Sequence, residues 1–118
     1  MATPVDPAYR ARLAALNEKF AASVPQRMAA IAQALAQCRE HGATPEHLRQ
    51  LHESLHAVAG SAGSFGFQVL GEQARRLEQQ LRGLQAGEGD WTLTAAEIDT
   101  LLTWAAQEPS AQHYPPQA

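Results

Sequence analysis

At 118 residues the chain is sized for one domain with one modest core. A formal net charge of -3, with eight Arg and one Lys scattered along the chain, leaves no basic stripe of the kind that holds nucleic acid. A lone cysteine, Cys38, excludes an internal disulfide and fits a reducing compartment, and no apolar run is long enough for a membrane span. With no basic and apolar leader block at its start, the chain is expected in the cytoplasm.

Hydrophobic residues make up 45% of the chain and aromatics 6%. Alanine and leucine dominate the apolar set, which favours helices over strands. Asp6-Pro7 supplies an N-cap with proline in the first turn, and Leu13, Leu16 and Phe20 follow at helical spacing. Ser23-Val24-Pro25-Gln26 resembles a capping box, so one helix is expected to end there and a second to begin. That second helix carries Val24, Met28, Ile31 and Leu35 and closes at His41-Gly42.

Thr44-Pro45 opens a third helix with Leu48, Leu51, Leu55, Val58 and Ala62 on its apolar face. A fourth, from near Gly66, has the stripe Phe67, Leu70, Ala74, Leu77, Leu81 and Leu84. Gly87-Glu88-Gly89-Asp90 interrupts the pattern, and Thr94-Ala95-Ala96-Glu97 reads as the capping box of a short fifth helix through Ile98, Leu101, Leu102 and Ala105. The expected fold is all-α: an antiparallel four-helix bundle with an additional short C-terminal helix, over residues 1–108. Residues 109–118, polar and proline-containing, are expected to form a disordered tail or linker.

The third helix holds the chemistry. His52-Glu53-Ser54-Leu55-His56 is an HExxH string, the spacing that places two zinc ligands on one helical face. At ~100° per residue from Leu55, the apolar set clusters within about -60° to +20°. His56 falls near about +100°, at the edge of the buried stripe, with His52, Ala59 and Gly63 on the same flank and Gly60 just beyond. One reading of the glycines is that the helix ends at Gly60. The other is that bulk is excluded so that a partner can approach His56.

His56-Ala57-Val58-Ala59-Gly60-Ser61, with Gly66 ten residues after the histidine and Leu77-Glu78 further on, resembles the signature of histidine-containing phosphotransfer (HPt) domains. These are four-helix bundles, often with an extra helix, that relay phosphoryl groups between receiver domains. The resemblance spans residues 6–107, including the Ser23-Val24-Pro25 break. It implies that His56 is the phosphorylated residue, that Gly60 permits close docking, and that Glu78 orients the ring through its inner nitrogen. His52, Ala59, Gly60 and Gly63 would surround the receiver-docking flank. Many members carry lysine where this chain has Ala59, and Arg49, His52 and Arg75 are the candidates to replace its charge.

The partners implied are a response-regulator receiver domain, a hybrid histidine kinase, or both, with the receiver bringing the aspartate and a magnesium ion. This chain itself would need no cofactor and have no autonomous catalytic activity, and it is expected to be a monomer bound to neither nucleic acid nor membrane. Two alternatives stand beside this reading. A docking module without phosphotransfer would keep the same flank. A small HExxH zinc protein would need a third ligand, for which Glu78 is the candidate; the extended zinc pattern fails because Ala59 stands where its glycine belongs. His41, His47 and His113, Trp91 and Trp104, and the Arg75-Arg76 pair read as ordinary surface or bundle-end residues.

Overall fold

The computed structural model describes residues 6–116. Four α-helices account for most of them: α1 Pro7–His41, α2 Pro45–Ala59, α3 Gln68–Gln85 and α4 Trp91–Gln107, with a short 3-10 helix, Ala62–Phe65, between α2 and α3. No strand occurs among the described residues. Short connections make successive helices antiparallel, and contacts of α1 with α2, α2 with α3, α3 with α4 and α4 with α1 close the ring.

The core lies where the expected stripes meet. Ile31, Leu51, Leu55, Val58, Leu70, Leu77, Leu81, Ile98 and Leu101 have no solvent contact, each contributing about 1.5–3 kcal/mol by burial. Phe20 stacks on Phe65 at 5.3 Å and tilts against Phe67 at 5.3 Å, sealing the bundle end where the 3-10 helix turns. Gly66 ends that turn at φ +89, a left-handed conformation that favours glycine, and its N–H reaches back to Gly63 O. Gly71 lies against this turn: a Cβ there would stand 3.1 Å from Gly63 N.

Three expectations about helix ends need correction. The break at Ser23-Val24-Pro25 does not occur, and α1 runs through Pro25 as one 35-residue helix. Ser23 Oγ donates to Phe20 O at 2.6 Å and accepts from Arg27 Nε at 2.9 Å, so it caps no helix. Phe20, Val24, Met28 and Ile31 are buried on one unbroken face, and that burial outweighs the ~3 kcal/mol a mid-helix proline costs. The described residues therefore form four α-helices, and the expected extra C-terminal helix is α4 of the bundle.

Second, α4 starts three residues before Thr94, capped by Asp90, whose carboxylate accepts from Leu93 N at 3.2 Å. Thr94 and Glu97 face α3 instead: Thr94 Oγ1 donates to Gln80 Oε1, and Glu97 accepts from Gln80 and Arg76. Third, α3 begins at Gln68, beyond the turn at Gly66. The first three turns of α1 project past the bundle, leaving Tyr9, Leu13 and Leu16 exposed. After Glu108 the chain returns over α4, where Trp104 Nε1 donates to His113 O at 2.8 Å and the Trp104 and Tyr114 rings meet edge to face.

Candidate functional site

α2 begins where the sequence indicates. Thr44 accepts from His47 N, Pro45 occupies the first turn, and Leu48, Leu51, Leu55 and Val58 turn inward. Its end decides between the two readings of the glycines: the helix stops at Ala59, and Gly60 is its C-cap, with its N–H on His56 O at 2.9 Å. The glycines therefore do not interrupt a helix. Yet Gly60 has φ -77, open to any residue, and a Cβ on Gly63 would meet nothing within 4 Å. Neither glycine is demanded by the fold; Gly60 leaves the surface beside His56 low, and Gly63 does the same for the neighbouring cleft.

His56 stands in the last turn of α2 with 64% of its side chain exposed. Its Nδ1 lies 2.7 Å from Glu78 Oε1 on α3. A carboxylate oxygen only accepts, so Nδ1 is the donor of this bond, and the neutral form of the ring that makes it has its lone pair on Nε2. Glu78 is 7% exposed, and a buried carboxylate needs compensating charge or hydrogen bonds. Besides His56 it has Arg82 Nη2 at 3.6 Å, one turn along α3.

His52 is 18% exposed and lies one turn before His56, the two rings nearly parallel with centroids 6.1 Å apart. Arg82 Nε donates to His52 Nε2 at 3.3 Å. That nitrogen is then an acceptor, so its 3.4 Å approach to Glu78 Oε1 is a contact and not a second donation. The HExxH string thus has a structural use: His52 and His56 both approach one carboxylate, and Arg82 meets that carboxylate and His52. Among the described residues no group of three His, Cys, Asp or Glu side chains is arranged to hold a metal ion.

An open cleft of about 230 Å³ adjoins the ring, bordered by His56, Ala59, Gly60, Arg75, Glu78 and Arg82. A second, of about 160 Å³, lies on the other side of Arg75 and includes Gly63 and Gly71. His56, His52, Glu78, Ala59 and Gly60 are therefore together, and Gly63 is one cleft away. Ala59 is buried at 7%, beneath the cleft rather than on its rim. Arg49 is elsewhere, paired with Glu46 and Glu53 at 2.6 Å each. Arg75 and Arg76 diverge, the first to this cleft and the second to Glu97 on α4.

Sequence reasoning missed Arg82. Its signal was present: Arg75, Glu78 and Arg82 follow at spacings of three and four, one face of α3.

A family model described as Hpt domain matches residues 15–108. Comparisons with curated proteins and with solved structures give no match.

Proposed function

Because the chain belongs to the Hpt domain family, we propose that it is the phosphocarrier of a phosphorelay and that His56 is the residue that carries the phosphoryl group. The observation that supports this most directly is the 2.7 Å contact of Nδ1 with the Glu78 carboxylate on a ring that is 64% exposed: a carboxylate accepts, so the neutral ring that makes this bond has its lone pair on Nε2. Nε2 attacks the phosphorus of a receiver's aspartyl phosphate. The nitrogen–phosphorus bond forms, the acyl oxygen–phosphorus bond breaks, and the aspartate leaves as a carboxylate. The phosphorylated ring retains its Nδ1 proton and carries positive charge, which the Glu78 carboxylate stabilises at 2.7 Å. Transfer onward reverses these steps on a second receiver.

Hpt domains are phosphocarriers and not usually classed as enzymes; the receiver supplies the acidic site and its magnesium, and positioning is most of what remains. Docking would use the low flank at Gly60 and Gly63 around His56 and His52, with Ala59 as its floor and Glu78 behind the ring. We assign residues 1–108 to the working domain and 109–118 to a tail, with the protein acting as a monomer in the cytoplasm. No helix of the described residues is long and apolar enough to cross a membrane.

The test is incubation with phosphorylated receiver domains from the same genome, comparing the chain with His56→Gln. Labelling that is lost in the variant, labile in acid and stable in base is the expected result. Labelling unchanged in His56→Gln would remove His56 from this role, and docking without any label in the unsubstituted chain would leave only a binding module.

A further inference from the structure

A phosphoryl group on His56 brings negative charge to a helix end that carries no cation of its own. Beside the ring α2 offers Ala59 and Gly60. Its one arginine, Arg49, is held between Glu46 and Glu53, and the chain's single lysine, Lys19, lies on α1 and does not border the cleft. Charge neutralisation is a large part of what a protein can contribute to phosphoryl transfer, so any cation that this chain adds to the receiver's magnesium comes from another element.

α3 supplies two guanidinium groups to the cleft, and their surroundings differ. Arg82 sits on the Nδ1 side of the ring, against Glu78 Oε1 and His52 Nε2. Its charge compensates the buried carboxylate. Arg75 sits at the other end of the cleft, where its Nη2 donates to Ala59 O at 3.2 Å. That carbonyl is in the last turn of α2, one of the acceptors a helix end leaves unpaired. The bond anchors the guanidinium over the smallest side chain on this face. It is the only hydrogen bond of Arg75 among the described residues, and it uses one of five N–H donors. Arg75 is exposed and has no carboxylate within salt-bridge distance among the described residues.

We propose that Arg75 is the phosphoryl-binding cation of this protein, reaching from α3 across Ala59 to the group carried by His56 Nε2. The proposal rests on His56 being the phosphorylated residue. The planar fork of a guanidinium matches two phosphoryl oxygens. The alanine and the arginine then form one device: the short side chain at 59 leaves the space that the long one from 75 fills. Arg75 also caps α2, so the turn bearing His56 and the charge that receives its cargo are tied by one hydrogen bond.

The test needs no receiver. The full chain, Arg75→Gln, Arg75→Lys and His56→Gln are treated with phosphoramidate, a small phosphoryl donor, and followed by phosphorus NMR across pH, with circular dichroism to check each fold. In the unsubstituted chain one phosphohistidine signal is expected, absent from His56→Gln. Arg75→Gln is expected to accept the group about tenfold more slowly. Its signal should titrate about half a pH unit higher, a roughly threefold change in proton affinity, because a nearby cation favours the more charged phosphoryl form. Arg75→Lys keeps the charge and should titrate near the unsubstituted chain. No signal at His56 in the unsubstituted chain sinks the phosphocarrier reading itself. A signal at His56 with the same midpoint and rate in a folded Arg75→Gln overturns the role of Arg75 alone. If Arg75→Gln does not fold, Arg75→Lys decides between charge and fork: a midpoint moved as far as loss of the cation predicts refutes the charge-based role.

Discussion

At the residue scale the site depends on one buried carboxylate and two glycines that the backbone does not require. His56 was legible as a candidate in the sequence because a histidine beside small residues, on the edge of an apolar stripe, is a local pattern. Glu78 was legible only through the resemblance, since 22 positions separate it from the histidine it orients. Arg82 and the anchoring of Arg75 on Ala59 O were not, because both depend on how α2 and α3 are rotated against each other. Gly60 gives a sharp test of docking against folding. Its φ of -77 suits any residue and an added Cβ would meet only His56 O, at 3.4 Å. Gly60→Ala should therefore leave stability within about 1 kcal/mol in denaturant unfolding. It should slow transfer from a receiver severalfold while leaving acceptance from phosphoramidate unchanged. Loss of both at once would mean that the glycine serves the ring and not the partner.

At the scale of elements, local punctuation and long-range burial disagree in two places, and burial prevails in both. Ser23-Val24-Pro25-Gln26 has the residues of a helix start, yet Phe20, Val24, Met28 and Ile31 need one continuous axis to share a core. Thr94-Ala95-Ala96-Glu97 has them too, but Thr94 is 3% exposed and hydrogen-bonded to Gln80. Sequence spacing identifies a side chain's face; it does not say whether a hydroxyl is spent on its own helix or on a neighbour. The helices whose buried faces were read correctly and whose ends differ by a turn or less, α2 and α3, are those whose stripes and breakers agree. Because Pro25 is exposed and interrupts the hydrogen-bond ladder of α1, Pro25→Ala should stabilise the protein by about 1–2 kcal/mol. Chemical denaturation reads this directly. A destabilised variant would show that the proline sets a bend the bundle relies on.

At the scale of the whole molecule, the bundle was legible from its apolar stripes, although the sequence divides these into five helices where the structure has four, and the return of the chain after Glu108 was not, because it rests on a few contacts to Trp104. Burial pushes the Tyr114 hydroxyl above the usual tyrosine range, with Arg76 and Glu97 as the charged groups near it. The docked segment favours the neutral phenol, so its contribution is complete below about pH 10 and lost as pH rises through the higher docked value. The Trp104 indole N–H signal in proton NMR should shift over that alkaline range, and Tyr114→Phe should abolish the step. A step that persists in Tyr114→Phe would assign it to another group. The openness of the ring at His56, 64% in solvent, reaches furthest. A phosphoryl group carried there would meet water from the moment it arrived. On the proposed phosphocarrier reading the chain is a courier and not a store: how long a message survives depends on how soon a recipient is encountered, so the abundance of recipients governs how far it travels.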